Sequence, residues 1–73
     1  MNKPELDREV AMLAAASMLT YLKYMREDGK TTLSEDVLHE FGCTTMHEYF
    51  MKLRFFAAHS EIDLPDYVKE YMQ

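Results

Sequence analysis

At 73 residues, the chain has room for one domain, close to the size at which a single core only just offsets chain entropy. One cysteine, Cys43, excludes an internal disulfide framework, while 48% hydrophobic residues, seven of them Met, five Tyr and four Phe, supply ample apolar surface. Eight basic residues against thirteen acidic ones leave a formal charge of -5, which opposes binding to nucleic-acid phosphates or anionic membranes and favours a basic or neutral protein partner.

With no disulfide to help, association with another chain is the natural source of further burial. The lone thiol suits a reducing compartment, so the cytoplasm is the expected location. The N-terminal run Met1 to Glu9 carries Glu5, Asp7 and Glu9 where a secretory signal would need a basic region and an early apolar stretch. The longest apolar stretch, from Val10 to Leu22, is interrupted by Ser17 and Thr20 and ends at Lys23. That is short of the roughly 20 residues a bilayer span requires.

The first element is predicted as a helix from Pro4, a residue suited to a first helical turn, to a stop at Glu27-Asp28-Gly29. At roughly 100° per residue, Leu6, Val10, Leu13, Ala14, Met18, Tyr21, Tyr24 and Met25 share one face. Met12, Ala15, Leu19 and Leu22 fall on the other, so this helix needs cover on both sides. A second, short helix is expected from the capping-box spacing of Thr32 and Glu35. Its stripe is Leu33, Val37 and Phe41 with Leu38 beside it, and Gly42 is placed to close it in a left-handed cap.

Thr44 or Thr45 can cap a third helix, and Thr45 to Glu48 again has capping-box spacing. Met46, Tyr49, Phe50, Leu53, Phe56 and Ala57 form its broad apolar face. Met51, Phe55 and Ala58 form a narrower one nearly opposite, flanked by Lys52, Arg54 and His59. After a break at residues 59–63, Leu64 and Pro65 introduce a last helix lined by Leu64, Tyr67, Val68 and Tyr71. The expected fold is all-α: a compact bundle of about four helices forming one domain over residues 1–73, the first and third longest.

Candidate chemistry is sparse. A short helix, a glycine turn and a second helix outline a helix-turn-helix, but its reading helix would open with Thr44, Thr45, His47 and Glu48, and the helix before it is acidic. DNA regulation is therefore the lesser reading. His39, Cys43 and His47 have the i, i+4, i+8 spacing of zinc ligands on one continuous helix, which Gly42 interrupts, so neither metal nor cofactor is expected. No nucleophile motif or phosphate loop is present, and an enzyme is not expected.

The residues in excess of a single core are the functional signal, because Met and aromatic side chains are favoured at interface centres. Met12, Leu19 and Leu22 on the first helix, and Met51 and Phe55 on the third, are the candidate interface. Phe55 is the expected anchor between chains. The reading is a small acidic interaction module, a homodimer that modulates or inhibits a larger protein; an acidic imitation of nucleic acid is a further alternative.

Overall fold

In the computed structural model, which describes residues 7–72, the chain forms four helices: α1 (Arg8–Glu27), α2 (Glu35–Glu40), α3 (Met46–His59) and α4 (Asp66–Tyr71). No strand occurs among the described residues. The two long helices, of 20 and 14 residues, make the main helix contact. They run antiparallel: Arg8 at the start of α1 meets Glu61, just past the end of α3, while Tyr49 near the start of α3 reaches Met18 in the middle of α1.

Each start has a local cause. Asp7, in extended conformation, accepts the Glu9 amide and caps α1, satisfying one of the amide donors that a helix start leaves without an intrahelical partner. The expected start at Pro4 lies outside the described residues. Ser34, not Thr32, caps α2, its hydroxyl accepting from the Val37 amide. Thr45 and Glu48 form the full capping box of α3. Pro65 is the residue before α4 and gives it no side-chain cap.

The first three helices end in one shared geometry. After α2, Gly42 turns left-handed at φ +72°, so that its amide reaches the His39 carbonyl and the Cys43 amide the Leu38 carbonyl. This paired closure is the Schellman motif. Gly29 closes α1 in the same way, with amides running to Arg26 and Met25. At the end of α3 the left-handed position is held by Glu61, at φ +59°, with Glu61 and Ile62 bonding to Ala58 and Ala57. A side chain there costs on the order of 1 kcal/mol relative to glycine.

The buried stripe of α1 is Ala11, Ala15, Met18, Leu22 and Met25, which follows neither of the two faces drawn from the helical wheel but runs between them. Val10, Leu13 and Tyr24, expected to face inward, are exposed. Ala11 and Ala15 are fully buried on α1 and Ala57 is buried on α3, and the bond from the Tyr49 hydroxyl to the Met18 carbonyl holds that side of α1 against α3. On α3, Tyr49, Leu53 and Ala57 are buried, while Met46, Phe50 and Phe56 pack around them, as the periodicity predicts.

Aromatic rings join the four helices. Tyr21 meets Phe41 edge-on, Phe41 meets Tyr49, Tyr49 meets Phe50, and Phe50 stacks on Tyr71, with centroids 5.6–6.3 Å apart. Such pairs add about 0.5–1.5 kcal/mol each beyond area burial. The Arg26 guanidinium lies 4.9 Å from the centroid of the Tyr67 ring and ties α1 to α4.

Leu53→Ala should lower unfolding free energy by about 2–5 kcal/mol, the usual cost of truncating a fully buried leucine. Tyr49→Phe, which loses one buried hydrogen bond, should cost about 1 kcal/mol. Urea titrations followed by circular dichroism measure both.

Bonds from the Thr44 hydroxyl and amide, followed by those from Thr45, hold the Glu48 carboxyl below its ordinary range. A depressed folded-state pKa contributes stability above the unfolded value, about 4.3 for Glu, and that stability is lost as pH falls through the lower folded value. Thermal melts at decreasing pH should therefore show the native chain losing stability below about pH 4. Glu48→Gln should be less stable at neutral pH and have a flatter profile in the acid window.

Candidate functional site

Both core helices keep apolar side chains on surfaces the fold does not cover. Along α1 no charged residue occurs from Val10 to Leu22, yet only one side of the helix is packed. Leu13 is 66% exposed, and Val10, Met12 and Tyr24 are exposed with it. A helix apolar around most of its circumference normally has cover around most of it. The bundle is compact, with extents of 46 × 24 × 19 Å and a radius of gyration of 12.6 Å, so these side chains are left on its outside.

On α3, Met51 and Phe55 are 55% and 58% exposed, one turn apart and nearly opposite the buried stripe of Tyr49, Leu53 and Ala57. The Phe55 ring is edge-on to Phe56 and stacked on His59, which limits its rotamers. Two hollows flank Met51. One, of about 510 Å³, is lined by Cys43, His47, Met51, Lys52 and Phe55 among others. The other, of about 270 Å³, lies toward α4 and includes Met46, Phe50, Arg54 and Tyr71.

Cations border this face. Lys52 is held in place: its Nζ donates to the Phe41 carbonyl at 2.6 Å, fixing the charge beside the turn at Gly42. Arg54 is exposed on the far side. The nearest carboxylate on the same helix, Glu48, turns one oxygen back to accept from both threonine amides and both hydroxyls.

The structure divides the sequence-predicted residues. Met51 and Phe55 share one exposed face, and Met12 is exposed on α1. Leu22 was expected at an interface but is fully buried, because it lies one turn from Met18, on the side of α1 that the bond from Tyr49 holds against α3. Leu19 is half-buried and packed against that core. Sequence reasoning missed Val10, Leu13 and Tyr24 as surface residues. No local signal singles them out, because alanines stand at 11, 14, 15 and 16 and small size alone does not mark one side of the helix.

The Thr44, Thr45 and Glu48 side chains, which a DNA-reading helix would present to bases, are bonded to one another. His39 and His47 are exposed while Cys43 is buried. Among the described residues, no group of three or more His, Cys, Asp or Glu side chains could hold a metal ion, and no helix is long and apolar enough to cross a membrane. Comparison with protein-family models, with curated proteins and with solved structures finds no match.

The Cys43 thiol is 2% exposed, donates to the Phe41 carbonyl at 3.6 Å and is pushed up in pKa by burial. It should remain protonated at neutral pH and react with a disulfide reagent only as the protein unfolds. A reaction rate that is negligible in native buffer and rises along the urea unfolding curve is the expected result. Adding zinc or a chelator should leave the melting temperature unchanged.

Proposed function

We propose that this chain is a small protein-interaction module, a homodimer that engages a larger protein in a reducing compartment and modulates it. The observation that carries the reading is the second apolar face on each of the two helices that build the core. A single such face can be ordinary surface, but two, on opposite sides of a molecule this small, exceed what a monomer needs to leave uncovered.

The faces differ in character, and this supports different occupants. The outer side of α1 is uncharged from Val10 to Leu22, so two copies of an acidic protein can meet there without bringing like charges together. Paired antiparallel about Ser17, Val10 of one copy would lie opposite Tyr24 of the other, in the isologous arrangement of a two-fold dimer. Small residues at the centre, Ala14 and Ser17, would let the helices approach. The α3 face, bordered by cations, is left for the larger protein.

Size exclusion with light scattering should give a dimer mass at micromolar concentration. Leu13→Asp should convert it to a monomer without loss of helical circular dichroism, because Leu13 contributes little to the core. A monomer mass for the native chain, with full solubility, would overturn the dimer.

A further inference from the structure

We propose that the exposed face of α3 is a seat for an acidic amphipathic helix of the partner protein, with Phe55 and Met51 as apolar anchors and Lys52 and Arg54 as charge partners. The proposal rests on reading the chain as an interaction module and adds the chemistry of what it binds.

Charge segregation is the first argument. Between Met46 and His59 the sequence holds two cations, Lys52 and Arg54, and one carboxylate, Glu48. The rest of the chain holds the other six cations and twelve carboxylates. The helix carries one net formal positive charge on a strongly negative molecule, and Glu48, which also lines the hollow beside Lys52, directs a carboxylate oxygen into the α3 cap. An acidic segment arriving elsewhere is repelled, while at α3 it meets cations on both flanks of an apolar stripe.

Shape gives the second. Met51, Phe55 and Ala58 lie at i, i+4 and i+7, the spacing with which one helix receives the apolar residues of another. Met51 stands as a ridge between two hollows that can accept side chains from such a helix. Methionine adapts to an irregular partner, whereas Phe55, stacked on His59, and Lys52, fixed on the Phe41 carbonyl, are already ordered. Their order reduces the entropy lost on binding.

The occupant does not come from a second copy. The acidic helix of this chain, α2, turns Leu38 into its own core and cannot offer acids and an apolar stripe together. The outer side of α1 is uncharged over most of its length. An anionic membrane presents a broad surface that would face carboxylates beyond α3 on a chain of overall charge -5, whereas a single helix need touch only the α3 face.

The test uses fluorescence polarisation with the full chain and three labelled peptides of about four helical turns. One has leucines at i, i+4 and i+7 with a glutamate polar face, one the same leucines with a lysine polar face, and the third is a scramble of the acidic peptide. The acidic amphipathic peptide is expected to bind at least about tenfold more tightly than either of the others. Phe55→Ala and Arg54→Glu should each weaken it by about tenfold or more with helical content unchanged.

Equal binding of the basic or the scrambled peptide, no binding by any of them, or indifference to both substitutions would overturn the proposal. So would tighter binding to vesicles rich in phosphatidylserine than to the acidic peptide. If Phe55→Ala lowers the solution mass and leaves peptide affinity intact, the face belongs to a second copy and the proposal fails. The mass measurement on Leu13→Asp reads the dimer separately, so failure at α3 is distinguishable from failure of the module as a whole.

Discussion

The fold depends on the burial of Tyr49. Its ring is fully enclosed between Phe41 and Phe50, and its hydroxyl donates to the Met18 carbonyl at 2.7 Å. A phenol sealed from water without a partner would cost several kcal/mol, so this bond fixes where α3 can lie along α1. Burial, the largest cause, raises the hydroxyl pKa well above the ordinary tyrosine range, keeping it a donor throughout the range in which proteins work. Phe41, at the end of α2, and Phe50, facing α4, are placed by the same ring. One side chain thereby sets the relation of all four helices.

The turn between α2 and α3 follows from that anchor. Phe41 must stay against Tyr49, which leaves Gly42 to reverse the chain in a left-handed conformation and Cys43 to fill the space behind it. The Phe41 carbonyl, freed by the end of the helix, accepts from Lys52. Lys52 also stands close above Gly42: a Cβ there would lie 3.2 Å from its Nζ. The corner is thus closed by a cation from the next helix, and the same bond pins that cation at the edge of the exposed α3 face.

Surface chemistry divides by helix. Carboxylates crowd the caps and the outer side of α2, where a short helix with only one strongly buried residue, Leu38, needs favourable dipole interactions in its first turn. The middle of α1 has no charges at all, and α3 carries two of the chain's cations beside its outer apolar stripe. In a core this small, two helices supply most of the burial, and each has more apolar surface than the other can cover. The surplus is left outside, on chemically distinct faces.

Much of this was legible in the residues themselves. Four helices, the dominance of the first and third, the left-handed closure at Gly42, the capping box of Thr45 and Glu48, and the outward position of Met51 and Phe55 all follow from local signals: caps, glycine, and a period near 3.6 residues. These act within one turn or one helix, so neighbouring residues suffice to specify them. The rotation of α1 did not follow from such signals. With apolar residues around most of its circumference, its periodicity offers several equivalent inward faces, and the choice falls to whichever side packs best against another helix. The bond from Tyr49 to Met18 and the burial of Ala11 and Ala15 on that side of α1 made that choice. They placed Leu22 in the core and Leu13 and Tyr24 in solvent. That bond joins residues more than thirty positions apart, and only the assembled tertiary structure could form it.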